Sequence, residues 1–441
     1  MSFPSALMRR LARHERGNVL MITGLSIVPL VFSAGMVIDY SRAARLQTKM
    51  NAIADASALY AVSQSMMSES DSAAKKQAKA FFDDQAATLE GLVYANNVTI
   101  SVSDTTSPSL KRAVTVTYAG ASTNIFGAIL SRATIAIGGT ASASATTAPD
   151  IDFYMLIDTS PSMALPATSA GLTALTKATK GCAFACHQTD TSATNPGNTY
   201  MVGGKYVDYY YLAKTDLKLT LRNDLVNQSV EDLIDLADET GDANGATYRM
   251  ALGNFDWSYH SIQDTPTTLS AAKAKVSQAQ LLTVCRNNQR VCGVSDSDMH
   301  TNFTAALTAM NLLLPIPGNG TKKAGDTPKA IMFLITDGMR DENLAGVRKL
   351  GPAPTALCDT IKGKGVKLAV MYTEYLWESA SDSWSITNVR KPYLDTPEKI
   401  SPALESCASP GLFYKVTTNS DMSAALADLF QKAVEAAHLT Q

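Results

Sequence analysis

Three short stretches of this 441-residue chain place oxygen donors directly after or before apolar runs. Tyr154-Met-Leu-Ile leads into Asp158-Thr-Ser160-Pro-Ser162, so one carboxylate and two hydroxyls stand at alternate positions. Ile331-Met-Phe-Leu-Ile-Thr336 leads into Asp337 and a turn glycine, Gly338. Between them, His300-Thr301-Asn302-Phe303-Thr304-Ala-Ala-Leu307 puts a hydroxyl just ahead of an apolar helical pattern. These are hard donors, suited to a magnesium or manganese ion that keeps some of its waters and leaves a coordination position open. Two aspartates brought together without a cation repel each other, and more strongly away from water. Either aspartate alone reads equally well as a helix or turn cap. Three such motifs in one order point to a shared cation.

For distant residues to meet in this way, the strands that carry them must end at one edge, as they do in an open parallel sheet. Apolar strands at 154–158, 247–255, 331–336, 366–372 and 412–416 alternate with helical segments at 208–240 and 421–437. That alternation predicts an α/β fold with a doubly wound, mostly parallel sheet over residues 149–441. Two polar, turn-rich stretches, at about 166–207 and 259–299, are expected to be insertions near the metal face. In order and type, the three motifs resemble those of the von Willebrand factor A domain. In that family an Asp-x-Ser-x-Ser loop, a threonine before a helix and an aspartate after a central strand form the metal-ion-dependent adhesion site. The resemblance implies Asp158, Ser160, Ser162, Thr301 and Asp337 as ligands of Mg2+ or Mn2+. It also implies a protein partner that presents an acidic residue to the ion. His300 stands where the family more often has glycine and is expected to reshape the threonine loop.

The first 148 residues have a different composition. Arg9, Arg10, Arg13 and Arg16 lie in a basic segment, 1–16, and residues 17–38 carry no charge. Such a run is long enough to cross a bilayer core of about 30 Å as a helix. It reads as an uncleaved anchor, because a cleaved leader has a shorter apolar core and a clearer small-residue site than Ser33-Ala34-Gly35. The arginines favour a cytoplasmic N-terminus and an exported remainder, although Arg42, Arg45 and Lys49 blunt the bias. Residues 40–89 are rich in Ala, Gln, Lys and Ser and read as one long helix. Its apolar edge, Leu46, Met50, Ile53, Ser57 and Tyr60, fits either a partner helix or the protein's own following domain. Period-two stretches at 97–103, 113–118 and 133–145 predict a small antiparallel sheet, with a short helical piece near 125–130.

Arg16-Gly17-Asn18 opens the apolar run, followed by Val37-Ile-Asp39-Tyr-Ser-Arg42 and the alanine-rich Asn51-Ala-Ile-Ala-Asp-Ala-Ser-Ala-Leu59. This succession resembles the TadE/TadG-like segment of Flp pilus assembly. With an A domain behind it, the chain resembles TadG-type proteins of tight-adherence secretion. The resemblance implies a single-pass inner-membrane protein with pilus-assembly or envelope partners and a role in adhesion or as a scaffold.

Charge excludes other classes. With 38 basic and 40 acidic residues, a net charge of −2 and no like-charge block beyond the first residues, nothing suggests a nucleic-acid surface. There is no nucleotide-binding glycine loop, H-E-x-x-H or G-x-S-x-G, so no catalytic constellation supports an enzyme. Asp242-Ala-Asn244-Gly245 lacks the distal glutamate of a calcium loop and reads as a turn. All six cysteines lie after residue 149. Their even number in an exported domain points to disulfides, with fifteen connectivities open. Cys182-Ala-Phe-Ala-Cys186-His187 has one residue too many for haem attachment and lacks a fourth ligand for zinc. The second function class is an envelope-anchored A-domain receptor or chaperone-like protein unrelated to pili.

Overall fold

A computed structural model describes residues 15–106, 109–181, 200–285, 289–375, 379–417 and 419–438. The chain forms two compact units: residues 1–105 with 110–146, and residues 106–109 with 147–441.

The first unit is built on a helix that runs without a break from Glu15 to Ala61. Its first half is almost wholly exposed and apolar. Its second half buries Ala43, Leu46, Met50, Ala54, Ala58 and Ala61, a stripe at three- and four-residue steps. The stripe packs on the unit's own sheet of four antiparallel strands, β1 (Leu92–Val93), β2 (Val98–Thr105), β3 (Lys111–Thr123) and β4 (Thr134–Thr146). Of the two fates open to this apolar edge, packing against the same protein is the one observed. The expected single helix over 40–89 needs correction. It stops at Ala61, gives one short turn at Gln64–Met67, and resumes at Asp71–Ala86. Serines account for the break, because Ser70 adopts an extended backbone and its hydroxyl accepts from the Ala73 N–H as an N-cap.

The break is fastened from the sheet by a fully buried arginine. Arg112 on β3 meets both carboxylate oxygens of Asp104 on β2 at 2.7 Å. Its remaining N–H groups donate to the carbonyls of Ala61, Met66 and Glu69 around the break, where helix ends leave carbonyls short of partners. A buried ion pair whose every donor is satisfied gains little over an apolar pair, but half of it is costly to leave behind.

In the second unit six strands form one sheet: β5 (Ile151–Asp158), β8 (Tyr248–Phe255), β9 (Tyr259–Thr268), β10 (Lys329–Thr336), β13 (Lys367–Thr373) and β14 (Phe413–Val416). Their order across it is β14-β13-β10-β5-β8-β9. All neighbours are parallel except β8 and β9. Every residue of β5 is buried, as is all of β10 after Lys329, because helices cover both faces. Ile151, Phe153, Met155 and Ile157 pack toward the helices Arg222–Asn244 and Met422–His438. Tyr154 and Leu156 pack toward Phe303–Leu313, Thr355–Gly363 and Ile400–Cys407. This is the doubly wound α/β sheet that the sequence predicts.

The insertion expected over 259–299 also needs correction. Residues 259–268 form the edge strand β9, and Leu269, Ala272, Val276 and Ala279 belong to the core. No residue of β9 is fully buried, so it lacks the apolar run that marks the inner strands. In the 166–207 stretch, a helix at Ser169–Ala178 and a hairpin of β6 (Tyr200–Val202) with β7 (Lys205–Val207) are present. The expectations for Cys182, Cys186 and His187 lie outside the described residues. Cys285 is bonded to Cys292, and Cys358 to Cys407. The latter bond joins two helices that cover the same sheet face.

Arg112→Met is expected to destabilise the protein by about 3–5 kcal/mol, since it leaves the Asp104 carboxylate buried without its partner. Pairing it with Asp104→Leu is expected to restore much of that loss. Urea unfolding of the detergent-purified chain, followed by circular dichroism, reads both effects.

Candidate functional site

The chain leaves β5 toward β8 on one side and later returns to place β10 on the other side of β5. Such a reversal in strand order opens a crevice beyond the carboxyl ends of the two central strands. Asp158 closes β5 and Asp337 follows β10, so both carboxylates stand at that crevice, and both are fully buried.

Asp158 is held from two directions. Its Oδ1 accepts from the Ser160 N–H at 2.9 Å, and its Oδ2 accepts from the Thr336 hydroxyl at 2.6 Å. The loop then turns through Pro161–Ala164, with the Ser160 and Ser162 hydroxyls 3.1 Å apart. Thr159 fixes the loop to the neighbouring strand: its N–H donates to the Phe255 carbonyl at 2.8 Å and its Oγ1 accepts from Asn254 Nδ2 at 2.8 Å. Gly338 has φ +79°, and a Cβ there would come within 2.6 Å of Ile400 and Leu404. Only glycine makes this turn without strain, which is how the chain leaves Asp337 at the strand end.

Thr301 is positioned by a hairpin that the sequence reading did not foresee. Strands β11 (Met339–Leu344) and β12 (Val347–Pro352) follow Asp337 directly. They are joined by Ala345 and Gly346 at φ 51° and 83°, a two-residue turn with both central residues left-handed. The Thr301 N–H donates to the Asp341 carbonyl at 2.9 Å, and the Asp341 N–H returns a bond at 3.1 Å. Glu342, fully buried, accepts from both the N–H and the hydroxyl of Thr304 and so anchors the start of the Phe303–Leu313 helix. Asn302 caps the same helix through Ala305 N–H, and its own N–H donates to the Asp256 carbonyl. The threonine loop is thus clamped between β8 and the hairpin, with His300 buried in it.

The electrostatics of the carboxylate pair are unresolved within the protein. Burial, and next to it the charge of Asp337, pushes the Asp158 carboxyl up to about 7, against the pull of the Ser160 and Thr336 hydroxyls. Asp337 is also raised by burial, opposed first by Arg222 and then by the Ser162 hydroxyl and the Met339 N–H. Arg222, at the start of its helix, brings Nη1 to 3.9 Å from Asp337 Oδ2 while its Nη2 donates to the Glu374 carbonyl. That separation is too long for a hydrogen bond. Asp337 Oδ2 and Arg222 Nη1 are both buried without a hydrogen-bond partner. A fully buried carboxylate oxygen left in this condition is costly.

The structure therefore brings Asp158, Ser160 and Ser162 into one loop, sets Asp337 beside it, and ties Thr301 to the hairpin that follows Asp337. Thr336, Arg222, Asp341 and Glu342 complete the surroundings. No cluster of three or more His, Cys, Asp or Glu suited to a metal occurs among the described residues. The donor set here is two carboxylates with hydroxyls. It fits a hard divalent cation because the orphaned Asp337 oxygen and the mutual repulsion of the pair are what such an ion would relieve.

Comparison with known proteins bears on the first unit most directly. Residues 17–64 match the family model described as "Putative Flp pilus-assembly TadE/G-like". The match thus covers the apolar run and all of the helix behind it, which ends at Ala61. No curated protein matches. Among solved structures, the chain is similar to the conserved hypothetical protein BatB from Bacteroides thetaiotaomicron, at 11% identity and TM-score 0.35 over 65% of this chain and 99% of that one. It is also similar to the vWF domain of the type V pili tip protein Mfa5 from Porphyromonas gingivalis, at 10% identity and TM-score 0.31 over 66% and 95%. Superpositions this loose carry no inference about the site or its ligand.

In the absence of a divalent cation, the folded pair retains protons that the unfolded chain has already released, from about pH 4 to about pH 7. Stability is therefore expected to fall as pH rises through that window. The urea midpoint in chelator should be lower at about pH 8 than at about pH 5.5, and Asp158→Asn should flatten the difference. An unchanged slope in the variant would show that the pair does not titrate as described.

Proposed function

We propose that this chain is a membrane-anchored, metal-dependent protein-binding component of tight-adherence Flp pilus assembly, acting as an adhesion or scaffold element rather than as an enzyme. The observation that carries this reading is the fully buried Asp337 oxygen without a hydrogen-bond partner, beside an Asp158 carboxyl raised toward neutrality. The TadE/G-like segment supports the pilus context, and the helix containing it is long and apolar enough to cross a bilayer.

Asp158, Ser160, Ser162, Thr301 and Asp337 would hold Mg2+ or Mn2+. Such an ion supplies positive charge and an open coordination position, which suits capture of an acidic side chain from a partner. The chain's own contribution is preorganisation. Thr336 and the Ser160 N–H fix the Asp158 carboxylate, and the β11–β12 hairpin fixes the Thr301 backbone. Arg222 is a cation already aimed at Asp337, so it offsets part of the pair's charge and competes with a bound ion. The second unit lies outside the cytoplasm in this reading, where Cys285–Cys292 and Cys358–Cys407 can form and persist.

Asp158→Ala is expected to weaken Mg2+ and Mn2+ binding by roughly tenfold or more while leaving the circular dichroism spectrum intact, because the site is at the rim of the sheet. Equal affinity in calorimetry would remove the metal from the account. Arg222→Gln should move affinity the other way, tightening the ion by several-fold as a competing charge is lost.

Ser160→Ala and Thr301→Ala should weaken partner capture from crosslinked envelopes without altering membrane insertion. Deleting residues 149–441 should abolish fibres and surface attachment in a strain that still produces its pilin. Normal fibres in the point variants and the deletion would leave an envelope receptor unrelated to pili.

A further inference from the structure

The loop between β3 and β4 does more than reverse the chain. Asp39, the first charged residue after the apolar run, accepts the backbone N–H groups of Ile125, Phe126 and Gly127 at 2.8, 2.9 and 2.8 Å. Those three donors open a short helical turn at Gly127–Leu130. The Phe126 ring lies against Gly35, where a Cβ would meet its carbons at 2.3 to 2.7 Å. Gly35 lies inside the charge-free stretch 17–38. At 1.5 Å per residue, it sits about 5 Å on the apolar side of Ile38. The loop is therefore pinned alongside the last turn of the span rather than beyond it.

Its outward side chains match that depth. Ile125 is 56% exposed and Ile129 68%, and on the helix Met36, Val37 and Ile38 are each exposed by about half or more. Two isoleucines facing water from a tight loop would be unfavourable; facing the same lipid as the helix, they are not. The Asp39 carboxylate also removes the obstacle to putting loop backbone at that depth, because it satisfies the N–H groups that lipid cannot. Arg132 and Tyr40 line a cavity beside Asp39 and supply a cation and a phenol of the kind found at headgroup level.

We propose that residues 124–130 form a second membrane contact, with Ile125 and Ile129 inserted at the acyl–headgroup boundary of the leaflet that faces the folded units. The contact fixes the first unit's orientation on the bilayer. A single helix would leave the unit free to pivot; a loop locked to it by Asp39 and Phe126 does not. The proposal rests on the reading of residues 17–38 as a membrane anchor.

The test uses the full chain with its native disulfides, reconstituted in vesicles of phosphatidylethanolamine and phosphatidylglycerol. A single thiol is introduced as Ile125→Cys, Ile129→Cys, Leu25→Cys or Ala113→Cys and labelled with a polarity-sensitive fluorophore. Brominated lipids are expected to quench the labels at 25, 125 and 129, with blue-shifted emission, and to spare the label at 113. Quenching at 25 without quenching at 125 and 129 overturns the proposal and leaves the anchor standing. Labels at 125 and 129 that resist both brominated lipid and aqueous iodide mean that a protein surface covers the loop, which also overturns it. No quenching at 25 removes the anchor, and the loop contact with it.

Discussion

Two carboxylates, Asp158 and Asp337, are buried at the ends of adjacent strands in a protein that does not supply enough positive charge or hydrogen bonding for both. Much of the second unit follows from maintaining that arrangement. The parallel pairing of β5 and β10 sets the two side by side. Thr159, Asn254 and Phe255 lock the first loop to β8, and the turn at Gly338 aims the second. An apolar sheet covered by helices on both faces keeps water out and makes the repulsion matter.

The first unit shows the opposite solution to the same problem. The Arg112 and Asp104 side chains are also buried, yet each formal charge meets its opposite and the remaining donors meet carbonyls. That arrangement is structurally complete and asks for no ligand. At the crevice, Arg222 stops at 3.9 Å from Asp337, and one nitrogen and one oxygen stay unpaired. A satisfied buried pair reads as architecture and an unsatisfied one as a binding site, so the contrast within one chain supports treating the crevice as functional.

How much of this was legible depended on whether burial was two-sided. Strands β5, β10 and β13 are apolar along nearly their whole length, and Asp158 at the end of β5 and Asp337 after β10 stand out against that background. The edge strand β9, half-exposed and polar, has no such run, and its sequence reads as part of an insertion. The β11–β12 hairpin was equally hidden. Half of Met339–Leu344 is charged, and its turn signal is Ala345-Gly346 rather than the stronger Asn-Gly or Asp-Gly pairs. In the first unit, alanine-rich composition predicted helix throughout 40–89, and the stop at Ala61 turned on serine caps and on Arg112 reaching in from a strand about fifty residues away. Nothing local in the sequence distinguishes Arg222 from any solvated arginine at the start of a helix. Only the fold brings it to Asp337.

The proposed role of the Asp158–Asp337 pair is to take up a divalent cation. Calorimetric titration of Mn2+ into the metal-free protein near pH 7, repeated in buffers of different ionisation enthalpy, measures the protons released on binding. An Asp158 carboxyl raised to about 7 holds a fractional proton that a bound ion must displace. Binding with net proton release is expected, and the release is expected to disappear in Asp158→Asn. Binding without proton release, or no binding at millimolar Mn2+, would contradict it.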